Sequence, residues 1–138
     1  MPLLARLHIR WGRVTLAALL SEVMVVAVLS AIIVGYRYLI APGRTVSDYR
    51  AFTDRASYYV APLTAGMATF LAALWASRGL TMGFVANGTL VGAVAVVLTL
   101  GFFFAAKPED RLMYGVSFVL RIIGGYLGGV VAQRAMGA

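Results

Sequence analysis

Two ionisable side chains of this sequence, Glu22 and Arg121, lie deep inside long apolar runs. Glu22 follows the start of the first run at Val14 by eight residues, and Arg121 follows the start of the last run at Leu112 by nine. Helices that enter an apolar layer of about 30 Å from opposite faces would place the two Cα atoms within about 5 Å of each other in depth. Because an unpaired charge at that depth is costly, the sequence predicts an ion pair and packing between the first and last helices.

A carboxylate in this position can do one of two kinds of chemistry. It can fix the register of two helices as a structural pair, or it can exchange protons or cations during transport, as intramembrane acids often do. A carboxylate held by an arginine is a poorer proton carrier, so we favour the structural role and keep transport as the alternative. Asn87 and Tyr126 are predicted to lie near the same depth and to extend the pair into a polar cluster, with Asn87 forming an interhelical hydrogen bond.

Small residues recur every three or four positions in the last three apolar runs. Such faces let two helices approach closely, and in the last run they share a face with Arg121. The residues predicted to line helix contacts are Ala61, Ala65, Thr69, Ala73, Gly88, Gly92, Gly124, Gly125, Gly128 and Gly129.

The elements that carry these residues are predicted to be membrane-spanning helices. Of the 138 residues, 62% are hydrophobic and 12% are charged, and the mean hydropathy is +0.89. This composition is typical of an integral membrane protein with one domain, residues 1–138. The expected fold is an all-α bundle of four transmembrane helices, spanning about 14–36, 58–77, 83–106 and 112–132.

Two further helices are expected at the membrane surface. Arg6, Arg10 and Arg13 share one face of residues 1–13, which predicts an N-terminal amphipathic helix. A short interfacial helix is expected between the first two spans, from Thr45 to Ala56, because Thr45 and Asp48 fit a capping box.

Several classes of function are excluded or disfavoured by the residues available. The chain has no cysteine and a single histidine, His8, and no Ser/His/Asp set, metal cluster or phosphate-binding glycine loop can be assembled from the pattern. We therefore expect no catalytic site, no metal and no cofactor. The net charge of +7 comes from basic residues that flank apolar runs, so the expected partner is the lipid bilayer and not nucleic acid.

The orientation rests on a nearly tied count. With four spans, five Lys and Arg residues flank the spans on the terminal side and six on the other. Because the first helix carries most weight, we expect cytoplasmic termini, and dual topology stays open. The layout looks like that of small bacterial four-span membrane proteins, which implies the bacterial inner membrane.

Two short stretches resemble known families. Residues 17–23, Ala-Ala-Leu-Leu-Ser-Glu-Val, resemble the first helix of small multidrug resistance transporters, which are four-span, often dual-topology dimers with one membrane-embedded glutamate. Residues 86–92, Ala-Asn-Gly-Thr-Leu-Val-Gly, are similar to the second helix of fluoride channels. The Trp- and Gly-containing patterns of the first family and the Phe- and Thr-containing filter of the second are absent.

Two functional hypotheses follow from these features. The first is a small polytopic protein that works through helix association, as a homo-oligomer or as an accessory subunit of a membrane complex. The alternative is a small dimeric transporter or channel, coupled to protons or cations, that uses Glu22.

Overall fold

The computed structural model describes residues 8–136, and all of the regular structure in this range is helical. Its elements are α1 (Trp11–Gly35), a π-helical turn (Tyr36–Ile40), α2 (Val46–Ser77), α3 (Phe84–Ala105) and α4 (Arg111–Met136). Each of the four α-helices is long and apolar enough to cross a membrane. The prediction of an all-α fold with four such helices is confirmed.

The ends of α2 follow from local sequence. At its start, the Thr45 hydroxyl accepts a hydrogen bond from the Asp48 N–H, and the Asp48 carboxylate accepts one from the Thr45 N–H, which completes the predicted capping box. After its last residue, Gly79 and Gly83 both have a φ of 74°. A positive φ is cheap only for glycine, so these two residues let the chain reverse within a few residues into α3.

The prediction of a separate surface helix from Thr45 to Ala56 is wrong. These residues form the first turns of α2, which continues without a break to Ser77 and passes through Pro62. Residues 56–61 contain no glycine or proline that would end a helix, so the helix that begins at the cap propagates. Pro62 therefore lies in the helix interior, where it removes one backbone hydrogen bond.

The predicted N-terminal amphipathic helix falls largely outside the described residues, which begin at His8, so Arg6 lies beyond them. Of the part that is described, His8 to Arg10 are not helical, and Trp11 opens α1. Arg13 is consequently part of the first turn of α1.

The four helices form a rhombus in cross-section. Helix α4 packs along both α2 and α3. Helix α1 packs against the other side of α2, and Val14 and Ala17 near its start also contact α3. Within residues 8–136, α1 and α4 are not packed neighbours but lie diagonally opposite. The expected packing of the first helix against the last is therefore wrong, because the small-residue faces of α4 are occupied by α2 and α3.

Small residues fill the inside of this bundle, and large apolar residues face outwards. Ala65, Thr69 and Ala73 of α2 are fully buried, whereas Ala61 is half-buried. Ala65 packs against α1, and Ala73 lies in a cluster with Val14. The small-residue stripe is thus used within the chain, as close helix packing requires.

The α1–α2 hairpin is longer than α3. With the π-helical turn, α1 covers 30 residues and α2 covers 32, against 22 in α3, so the hairpin extends about 12–15 Å past the end of α3 at 1.5 Å per residue. Aromatic contacts order this extension: Tyr36 stacks on Phe52 with ring centroids 3.6 Å apart. The Tyr49 hydroxyl donates to the Ala41 carbonyl at 2.8 Å.

Candidate functional site

Arg121 lies between two rows of glycines on α4. Gly124 and Gly128 face α2, and a Cβ on Gly128 would lie 2.6 Å from the Phe70 carbonyl oxygen. Gly125 and Gly129 face α3. Arg121 precedes the two rows by three and four residues, so it projects from α4 between them, into the gap between α2 and α3. The residue is buried, with 5% of its surface exposed.

The Arg121 guanidinium reaches through this gap to α1. Its Nη1 atom forms an ion pair with Oε1 of Glu22, and its Nε donates a hydrogen bond to the Ser117 hydroxyl at 3.3 Å. The structure therefore brings together the two charges that the sequence singles out. The contact joins the diagonal helices α1 and α4 through side chains alone, because an arginine side chain is long enough to span the gap.

The pair is enclosed unequally. The Arg121 side chain is 6% exposed, but the Glu22 side chain is 23% exposed. Glu22 lies on the flank of α1 that packs on α2, in line with Val25 and Leu29, which contact Ala65 and Ala68. The cation is thus fixed inside the bundle, and part of the anion reaches the outer surface.

Three other buried hydroxyl groups donate to carbonyls of their own helices, whereas the buried Ser77 hydroxyl has no hydrogen-bond partner among the described residues. Ser21 donates to the Ala18 carbonyl, and Thr69 donates to the Ala65 carbonyl, each at 2.7 Å. Thr99 donates to the carbonyl of Ala95 in the same way. Within residues 8–136 no hydrogen bond links these hydroxyls to Glu22, so they form no continuous chain of donors through the bundle. Sequence reasoning missed Ser117, whose position four residues before Arg121 was the available signal.

Asn87 has a different role from the one predicted. It is 1% exposed and lies in the first turn of α3, where its Oδ1 accepts from the Arg10 N–H and its Nδ2 donates to the His8 carbonyl, both at 3.0 Å. Nδ2 also donates to the Gly83 carbonyl at 2.8 Å. Asn87 therefore binds the backbone of residues 8–10 across the start of α3.

The predicted polar cluster of Asn87 and Tyr126 around Glu22 does not form. Asn87 is bonded to Arg10, which precedes Glu22 by twelve residues, or about 18 Å along a helix. Tyr126 is 49% exposed on the outer face of α4, on the side opposite the glycine rows. The depth of Asn87 estimated from sequence alone was too great, because Asn87 lies in the first turn of α3 and not near the middle of the helix.

Arg10 and Arg13 lie near the turn that follows α2. The Arg13 guanidinium donates to the carbonyls of Trp75 and Arg78 at 2.7 Å each, and its Cζ is 4.8 Å from the centre of the Trp75 ring. Arg13 thereby binds two carbonyls at the C-terminal end of α2, of which that of Trp75 also accepts from the Arg78 N–H.

Comparisons with known proteins give no further guide to this site. The chain matches no protein-family model, no curated protein and no solved structure. Within residues 8–136, no group of three or more His, Cys, Asp or Glu residues is arranged to hold a metal ion.

Proposed function

We propose that this chain is an integral membrane protein that works by associating with other membrane helices, as a homo-oligomer or as an accessory subunit of a membrane complex. The observation that carries the proposal is the partial exposure of Glu22. Glu22 follows Trp11 by eleven residues, which places it about 16 Å along α1 and near the middle of a 30 Å hydrocarbon layer.

A partly exposed carboxylate at this depth is unfavourable in a lone bundle. Its pairing with Arg121 neutralises the charge, but the 23% of the side chain that is exposed would face hydrocarbon, where polar groups lack partners. A second protein surface over this flank of α1 removes that cost. The small-residue faces of α2, α3 and α4 are already used inside the bundle, so the flank of α1 is the surface that we assign to association.

In the proposed orientation the chain lies in a bacterial inner membrane, with both termini on the cytoplasmic side. The rule that positively charged loops stay inside supports it through the first helix, where Arg10 and Arg13 precede or open α1. Dual topology would also fit the nearly equal numbers of basic residues at the two ends.

A second candidate function is a small dimeric transporter or channel coupled to protons or cations. The asymmetry of the ion pair favours it, because Arg121 is enclosed while Glu22 is accessible from outside the chain. Two copies that meet at this flank would bring two accessible carboxylates together, and a path could then form between the subunits.

Association can be tested by cross-linking, because the chain has no native cysteine. Val26 lies one turn after Glu22 on the same flank and is 64% exposed, and Val97 of α3 is 68% exposed on another face. A short bis-maleimide should cross-link Val26→Cys in membranes and leave the control Val97→Cys monomeric. Equal cross-linking of the two variants, together with a monomeric mass in lipid nanodiscs, would refute association through this flank.

The transporter candidate needs a different measurement. Proteoliposomes that contain the wild-type chain should show flux driven by a proton or cation gradient, and Glu22→Gln should abolish it. If the wild type dimerises but gives no flux, the transport role fails and the association role stands.

A further inference from the structure

Three arginines converge where α2 turns into α3. Arg13 donates to the Arg78 carbonyl, and Nη1 of Arg10 lies 3.8 Å from the position that a Cβ on Gly79 would take. The guanidinium groups of Arg10 and Arg13 therefore both lie beside the peptide that joins Arg78 to Gly79, and Arg78 itself is exposed.

Hydrogen bonds hold the main chain of Arg10 and the guanidinium of Arg13. Asn87 fixes the Arg10 main chain through its N–H, and Arg13 is fixed by two carbonyls and by the Trp75 ring. Both terminal nitrogens of Arg13 donate to carbonyls at the C-terminal end of α2. Arg10 and Arg78 are therefore the residues available to bind a ligand directly. Arg13 adds its charge to the same place.

No carboxylate in the described part of the chain balances this cluster. The acidic residues other than Glu22, which is paired with Arg121, all lie at the opposite end of the bundle, and they are Asp48, Asp54, Glu109 and Asp110. That end carries six basic residues with these four acids. Like charges held close together repel, and an anion from outside the chain would reduce this repulsion.

We propose that Arg10, Arg13 and Arg78 form a binding site for the phosphate of an anionic phospholipid. Guanidinium groups bind phosphate oxygens through two parallel hydrogen bonds, which suits Arg10 and Arg78. The cluster lies at the end of apolar helices, beside Trp75 and an exposed Trp11, which is where tryptophan marks the headgroup layer. A lipid in this place can lay its acyl chains along the outer face of α1, which a soluble anion cannot do.

The test compares lipid compositions in nanodiscs. The thermal unfolding midpoint of the wild-type chain should be higher with phosphatidylglycerol than with phosphatidylcholine alone. The double variant Arg10→Gln/Arg78→Gln should lose this shift and should bind phosphatidylglycerol about 100-fold more weakly, since the loss of one hydrogen bond to a charged group weakens binding about tenfold. The control Arg50→Gln/Arg55→Gln changes the net charge equally at the other end of the bundle and should keep the shift.

Three results would overturn the proposal. One is a shift that persists in Arg10→Gln/Arg78→Gln, and another is an equal loss in the control, which would show a diffuse charge effect. A third is an equal shift produced by inorganic phosphate in phosphatidylcholine nanodiscs, which would assign the site to a free anion. If the double variant fails to fold, Arg78→Gln alone gives the readout, because its exposed side chain can be shortened without disturbing the core, and retained phosphatidylglycerol can be counted by native mass spectrometry.

Discussion

Replacing Gly92 by alanine should push α3 and α4 apart locally. A Cβ on Gly92 would lie 2.5 Å from the Arg121 carbonyl oxygen and 3.0 Å from the Ile122 Cα. Both are backbone atoms, so no change of rotamer relieves the clash. The two helices would have to move apart by about 0.5 Å at this point, because Cβ contacts under 3.0 Å essentially do not occur.

The size of the effect can be worked out against a control in the same helix. Overpacking a close contact costs about 1–3 kcal/mol, while alanine is favoured over glycine by about 1 kcal/mol in a helix interior. Gly101 of α3 has nothing within 4 Å of its Cβ position, so Gly101→Ala should gain the propensity term only. The difference in unfolding free energy between the two variants should therefore equal the steric cost, about 1–3 kcal/mol in favour of Gly101→Ala.

The assay is reversible unfolding by sodium dodecyl sulfate in mixed micelles, followed by far-ultraviolet circular dichroism. Gly92→Ala should unfold at a lower detergent fraction than wild type, and Gly101→Ala at an equal or higher one. If Gly92→Ala is as stable as Gly101→Ala, α3 and α4 do not approach as closely as the structure has them.

Three further predictions concern polar contacts. Glu22→Gln should lower the free energy of unfolding by about 3 kcal/mol or more, because it leaves the buried Arg121 cation unpaired, and Arg121→Gln should lower it by less. Equal losses in the two single variants would contradict this asymmetry. Asn87→Ala should speed amide hydrogen exchange in the segment before α1 and leave exchange within the helices unchanged. Tyr49→Phe removes the hydroxyl that orders the turn between α1 and α2 and should cost about 1 kcal/mol, whereas Tyr59→Phe, on an exposed side chain, should cost nothing measurable.

The arrangement of the helices could not be predicted as well as the helices themselves. The glycines of α4 indicated close packing, but they are compatible with any neighbouring helix. The sequence predicted α1 as that neighbour, because Arg121 lies on the same face as the glycines. In the structure α2 and α3 occupy the two glycine rows, for example Gly128 against Phe70 of α2 and Gly129 against Phe84 of α3. Periodicity shows that small residues line a helix face. It does not show which helix packs against that face, because all of these faces have similar shape and chemistry.

Asn87 shows a second limit. Its position near the start of an apolar run suggested an interhelical bond at the depth of Glu22, but its partners are the backbone atoms of His8 and Arg10. A backbone acceptor in a non-helical segment leaves no mark in the sequence. The position of residues 8–10 across the start of α3 is decided by tertiary structure.

By itself, the sequence determined that the chain is all-helical, that four of its helices are long and apolar enough to cross a membrane, and that Glu22 and Arg121 are the two charges set deep within them. These are properties of local composition, length and periodicity. Only the tertiary structure decided that α1 and α4 are diagonal, that Arg121 passes between α2 and α3 to reach Glu22, and that Glu22 stays partly exposed. The physical reason is that helix neighbours are selected by the fit of many small, similar surfaces at once, and that fit is a property of the assembled bundle.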